Sequence, residues 1–496
     1  MKQLLAVSFY FLLIIGLQAQ DKSKPFDGNI SVTRHQVKIN TQTISYTATA
    51  GYMWIRDEAD SLKAKLFFVA YTKDGEADAS KRPIMFAYNG GPGSSSVWLH
   101  MGALGPKRVV MTEKGEAIAP PYKYIDNEYS WLDKTDLVFI DPMMTGYTRP
   151  LGKNDKSQFT GFENDIQFVG DFIRLYTTRF ERWSSPKFIG GESYGTTRSA
   201  GLSGYLQNRH GLFVNGVILI SSILDFSTAR PDIGNDRPYP LVLPTMAATA
   251  WYHKKLSPQF TDLKTLLREV EQFAITDYAT ALIKGDALPA GERTRIIEKL
   301  SLYTGLSKTY IDQSNLRVYV GPFNKELMRT EAKTVGRLDS RFTGYDYDES
   351  GKTYDYDPSY NNTIYGPYTA AVNDYIHRTL KFENELPYEI LTSRVQPWPM
   401  SQDKYLNVAE TLRDAMTKNP ALKVWIANGY YDMATPYFAT QNTIDHMFLK
   451  KDLKQNISQT YYEAGHMMYI HMPSLQQFKK DFDNYIDGAI KTKVGF

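Results

Sequence analysis

Five short stretches of this chain are apolar almost from end to end, and each stops at a glycine, an acidic residue or a serine. They are "PIMFAYNGG" (83–91), "TDLVFIDP" (135–142), "PKFIGGES" (186–193), "NGVILISS" (215–222) and "LKVWIANG" (422–429). A strand with one wet face alternates apolar and polar residues, whereas a strand covered on both faces need not. Helical stretches such as "NDIQFVGDFIRLYTTRFERW" (164–183) separate several of these runs. Buried strands alternating with helices predict an α/β architecture: a mainly parallel central sheet flanked by helices. Residues 44–70 read as antiparallel strands at one edge, and residues 21–45 as a polar, extended arm.

The spacing breaks once. About two hundred residues separate Ser222 from Leu422 without a clear buried strand. Part of that interval is amphipathic helix, at 262–283 and 291–306, and part is the tyrosine- and aspartate-rich stretch 344–368. A structureless insertion of such length is implausible in a compact domain. Residues 226–395 are therefore expected to form a mostly helical cap over the strand ends, where α/β sheets place their sites. Residues 21–225 and 396–496 are then the two parts of the core.

The first twenty residues stand apart. Lys2 precedes an apolar run from Leu4 to about Leu17, which ends in small and polar residues. The run is too short to span a membrane with margin and reads as a cleavable export signal, cut near Ala19 or Gln20. No later stretch approaches membrane length, so no stable membrane insertion is expected once the signal is gone. The chain contains no cysteine, hence no disulfide and no thiol for a bacterial lipid anchor. The expected location is periplasmic or secreted, with stability supplied by core burial alone. A net charge of +3 without a basic block argues against nucleic acid as a partner.

The third apolar run ends in Gly191-Glu192-Ser193-Tyr194-Gly195, followed by the helix formers "TTRSAGLSGYLQN". Gly-x-Ser-x-Gly between strand and helix is the pattern of a sharp turn that exposes a serine hydroxyl as a nucleophile. The start of the helix also favours developing negative charge there. Such a serine needs a base, and the base needs an orienting carboxylate, in the chain order Ser, Asp or Glu, His. His377, His446, His466 and His471 follow Ser193 at useful distances. His466 lies in a loop after an apolar stretch, His471 is the runner-up, and His446 falls within a helical pattern. Asp432 follows the last apolar run closely, whereas Asp445 and Asp452 read as solvated helix or turn residues. Ser193, Asp432 and His466 are the expected catalytic residues. The oxyanion formed on attack needs two backbone N–H groups. Tyr194, next to the serine, supplies one, and Gly91 in the glycine-rich "AYNGGPGSSSVW" (87–98) supplies the other.

Together these pieces resemble the serine carboxypeptidases. Asn89-Gly90-Gly91-Pro92-Gly93-Ser94-Ser95, the Gly191–Gly195 turn, the Asp432 loop and Gly465-His466-Met467 stand in that family's order. Residues 127–148, "NEYSWLDKTDLVFIDPMMTGYT", resemble the segment these enzymes carry between the first two motifs. The resemblance implies an α/β-hydrolase fold, peptide substrates and no cofactor or metal. It also implies that Asn89 and Glu192 grip the substrate's C-terminal carboxylate, with Met467 beside the histidine in the substrate site. A glutamate next to a carboxylate is tolerable only when one of them carries a proton. The chain departs from the family at Ala87, Ser94 and Ala103. The last matters most, because a second glutamate normally stands there and pairs with the first. Two other functions follow from the same residues: an esterase, acyltransferase or peptidase indifferent to a free C-terminus, and a non-catalytic binding protein. Asp346, Asp348, Ser350, Gly351 and Asp357 have the spacing of a calcium loop, set against the reading of a solvated acidic loop.

Overall fold

A computed structural model describes residues 29–400 and 405–490, so the expected export signal lies outside the described residues. Among them, nine strands run through the central sheet: β1 (Ile30–Ile39), β2 (Gln42–Arg56), β3 (Leu62–Lys73), β4 (Ile84–Tyr88), β5 (Asp136–Ile140), β6 (Lys187–Glu192), β7 (Gly216–Ile220), β8 (Lys423–Gly429) and β9 (Ile457–Tyr462). Their order is β1-β2-β3-β5-β4-β6-β7-β8-β9, and the short strand Arg149–Pro150 joins β3. β1 to β3 are antiparallel, and β3 also meets β5 antiparallel. From β5 across to β9 every neighbouring pair is parallel.

The five apolar runs are β4 to β8, and their side chains divide by parity as a pleated strand requires. Met85, Ala87, Leu137, Phe139, Ile218 and Trp425 enter the core on one face. Ile84, Phe86, Val138, Ile189, Leu219 and Ile426 enter the core on the other. α1 (Phe162–Arg179) and α2 (Tyr194–His210) cover the second face, and the C-terminal helix Met472–Ile490 covers the first. With water excluded from both sides, no polar residue was needed at alternate positions. The arm expected at 21–45 is, from Ile30 onward, edge strand β1 and the start of β2. Only Val37, Ile39 and Ile44 are buried there, an alternation too sparse to stand out in the sequence.

Within 226–395 two regions differ. α3 (Pro238–Tyr252), α4 (Leu263–Phe273) and α5 (Ala290–Thr304) form an apolar cluster of their own with Tyr431, Met433 and Tyr437. α4 buries Leu263, Leu266, Leu267, Val270 and Phe273 on one stripe, and Asp262 caps it by accepting the Thr265 N–H at 2.8 Å. Residues 359–380, by contrast, pack Ile364, Tyr368, Val372 and Tyr375 directly onto the sheet's own core. A parallel sheet with helices on both faces, antiparallel strands at one edge and a helical excursion before the last two strands is the α/β-hydrolase fold.

Candidate active site

β6 ends at Glu192 and α2 begins at Tyr194, so the chain turns within one residue. Ser193 makes the turn at φ 61° and ψ −129°, a conformation that persists only where the surroundings over-determine it. A Cβ on Gly191 would lie 2.1 Å from the Gly195 oxygen, so no larger residue fits before the corner. The Ser193 N–H is tied to the Ile220 carbonyl at 3.0 Å. Its hydroxyl forms no hydrogen bond with another described residue and borders a cavity of about 370 Å³.

His466 borders the same cavity, on the loop that follows β9, and Asp432 lies on the loop that follows β8. The His466 Nδ1 and Asp432 Oδ2 are 2.7 Å apart. Asp432 also accepts from the N–H groups of Ala434 and Thr435 and from Thr435 Oγ1, at 2.8, 3.0 and 2.6 Å. Those bonds fix the carboxylate and, through it, the imidazole, leaving Nε2 for the cavity. Burial works against a charged His466, but the neighbouring Asp432 and then Glu192 outweigh it and raise the imidazole above its ordinary value. The other histidines are engaged elsewhere. His377 meets the Tyr147 hydroxyl, His446 the Asn442 carbonyl, and His471 the Ser474 hydroxyl.

The glycine-rich loop after β4 presses against the serine corner. A Cβ on Gly90 would lie 2.4 Å from the Tyr194 nitrogen and 2.7 Å from the Glu192 oxygen. Gly91 borders the cavity beside Ser193. Arg198, one turn into α2, donates to the Asn89 carbonyl at 2.7 Å and pairs with Asp165 at 2.7 Å, both side chains fully buried. Asn89 and Glu192 also line the cavity, and Asn89 Nδ2 donates to Glu192 Oε1 at 3.0 Å. Burial is the main cause that pushes Glu192 up to about 7, with the His466 charge and the Tyr469 hydroxyl acting in opposition. Met467 lines the cavity next to His466. The expected site residues are thus gathered within one region.

Several residues found here had no signal in the sequence. Trp98, Tyr360, Ile364 and Leu391 give the cavity an apolar wall, and Arg337 and Leu338 reach it from the inserted segment. Tyr469 and Asp339 sit just behind it. Contacts across hundreds of residues are what place them, so no local pattern could have marked them. The calcium spacing does not gather its carboxylates. Asp346 pairs with Lys325 at 2.5 Å, while Asp357 accepts the backbone N–H groups of Arg337 and Leu338. No metal-binding cluster occurs among the described residues.

Fold and site together define an α/β-hydrolase with a serine at the strand–helix corner and a His–Asp pair on the loops beyond the last two strands. The chain belongs to the serine carboxypeptidase family, whose model matches residues 39–479. It is 35% identical over 156 residues to the pheromone-processing carboxypeptidase KEX1 of Saccharomyces cerevisiae, a match covering 29% of this chain and 20% of that protein. Carboxypeptidase Y of the same yeast is 30% identical over 152 residues, covering 30% of this chain and 25% of the relative. These alignments therefore span a quarter or less of the relatives' lengths. The crystal structure of Kex1(delta)p, a prohormone-processing carboxypeptidase from the same organism, superposes with a TM-score of 0.57 at 17% identity. That match covers 89% of this chain and 91% of the other, a likeness of fold.

Proposed function

We propose that the protein is an exported serine carboxypeptidase that releases C-terminal residues from peptides. The observation that carries this reading is the single cavity bordered by Ser193, His466, Asn89 and Glu192. In the proposed mechanism Ser193 Oγ attacks the last peptide carbonyl while His466 Nε2 takes its proton. Asp432 holds the imidazole in the tautomer this requires and stabilises its charged form. The N–H groups of Gly91 and Tyr194 receive the oxyanion. His466 then protonates the departing amine, and water releases the acyl group from Ser193 by the same steps in reverse. Asn89 and protonated Glu192 hold the substrate's terminal carboxylate, since an ionised Glu192 would repel it. The signal-like N-terminal run supports export.

The proposal fixes the sign of the pH dependence. His466 must be neutral, so activity falls as pH drops through its raised pKa. Glu192 must be protonated, so cleavage of free acids falls as pH rises through about 7. The two requirements oppose each other and leave a narrow optimum close to neutral. The test compares a blocked dipeptide with its C-terminal amide across this range. Free-acid selectivity, and a loss on the order of 10³-fold or more in Ser193→Ala, are expected. An active Ser193→Ala variant would refute the mechanism, and equal cleavage of acid and amide would refute the carboxypeptidase specificity.

A further inference from the structure

Glu192 has a second buried neighbour that the proposed mechanism does not use. Tyr469, three residues past His466, donates its hydroxyl to Glu192 Oε2 at 2.5 Å, while Asn89 holds Oε1. Glu192, Asn89 and Tyr469 are 3%, 1% and 1% exposed, so solvent does not compete for these bonds. The tyrosine ring lies against the turn His100–Leu104. A Cβ on Gly102 would stand 2.5 Å from Tyr469 Cε2 and 2.6 Å from the Tyr368 hydroxyl. Gly102 thus borders the ring, and the residue after it, Ala103, belongs to the same apolar core and is the position that carries no carboxyl in this chain.

We propose, resting on the carboxypeptidase reading, that Tyr469 is a positioning residue that supplies the partner Ala103 cannot. It fixes the Glu192 carboxyl between two donors and so sets the pH at which a substrate carboxylate is accepted. Two carboxyls sharing a site would compete for one proton and hold it tightly. A phenol behaves differently. Burial keeps the Tyr469 hydroxyl protonated far above its ordinary value, so it is always a donor and always favours the ionised Glu192. Burial of Glu192 favours the protonated form, and the two influences oppose each other. His466 and Asp432 face Glu192 from the loops after β9 and β8, and Tyr368 faces it from residues 366–374. Arg337 acts on His466, and Arg108 on Tyr368, from farther out.

With both oxygens taken by donors, a proton on Glu192 has the cavity side left to it, which is where a substrate carboxylate would accept it. Removing the phenol hydroxyl removes a stabiliser of the ionised form, so the proton should be retained to higher pH.

The test measures kcat/KM against pH for a blocked dipeptide acid and its amide, using the full chain. In Tyr469→Phe the alkaline limb for the free acid should move up by about one pH unit, the scale of one hydrogen bond to a charged group. In Glu192→Gln that limb should vanish. Tyr469→Gln, which keeps a donor but loses the ring, should hold the limb near its wild-type position. An unmoved limb in Tyr469→Phe overturns the proposal, as does an equal displacement in the Phe and Gln variants. Where circular dichroism shows that Tyr469→Phe does not fold, the Gln variant decides, and a displaced limb there overturns the proposal. Wild type that cleaves acid and amide alike would instead refute the carboxypeptidase reading itself.

Discussion

The serine corner and the loops carrying Asp432 and His466 meet at one cavity but are held in different ways. The corner is supported from within the core. Ser193 hangs from the Ile220 carbonyl, and Arg198 bolts the Asn89 carbonyl to Asp165 on α1. The loops carrying Asp432 and His466 lean instead on residues 337–340 of the inserted segment. Met433 N–H donates to the Arg337 carbonyl at 3.1 Å, and His466 N–H to the Leu338 carbonyl at 2.7 Å. Gly465 N–H donates to Asp339 at 3.0 Å, and Ser340 N–H to the Tyr431 carbonyl at 3.0 Å. The strained turn at Ser193 is thus pinned by buried core groups. His466, by contrast, is stitched to the same segment that supplies Arg337 and Leu338 to the cavity wall.

The largest effect should come from the core side. Arg198→Met leaves Asp165 buried without its cation and the Asn89 carbonyl without its donor. Breaking a buried pair by removing one partner costs about 3–5 kcal/mol, so thermal unfolding should begin several degrees lower. An Arg198→Met protein as stable as the wild type would break the first half of the comparison. On the other side, Asp339→Ala strips the acceptor from Gly465 N–H and leaves the buried Arg341, paired to Asp339 at 2.6 Å, without its carboxylate. Displacing the His466 loop should lower kcat/KM by on the order of tenfold, because small misplacements of a base are costly. Fluorophosphonate labelling of Ser193 should slow in parallel. A lower melting temperature with unchanged kcat/KM would reduce the seam to a purely structural one.

The same division governs what could be read in the sequence. β4 to β8 were legible because strands buried on both faces carry an unbroken apolar signal. The serine corner was legible because glycine is required where a Cβ on residue 191 would strike the Gly195 oxygen. His466 and Asp432 followed from chain order and their places beyond apolar runs. Edge strand β1 was not legible, since one buried face leaves only scattered apolar residues. Nor was Tyr469, although it stands three residues from His466: nothing local tells a buried hydroxyl aimed at Glu192 from a core tyrosine. Asp339 and Arg337 reach the Asp432 and His466 loops through contacts about a hundred residues apart in sequence, which no local periodicity records.

The smallest effect sharpens the comparison most. Ser340→Ala removes an Oγ that donates to the Tyr431 carbonyl at 3.0 Å, while the Ser340 N–H keeps its own bond to the same oxygen. Thr249, whose hydroxyl meets Ser340 Oγ, retains the Thr245 carbonyl as acceptor. No buried group is left wholly unpaired, so the cost should stay near 1 kcal/mol, the net worth of one hydrogen bond. If the seam acts by setting the triad loops, kcat should fall by a factor of two or three, at most what that energy allows, with KM little changed. If the inserted segment matters only as a wall, KM should rise while kcat holds. Steady-state kinetics on this one variant therefore separates a segment that places His466 from one that merely encloses the substrate.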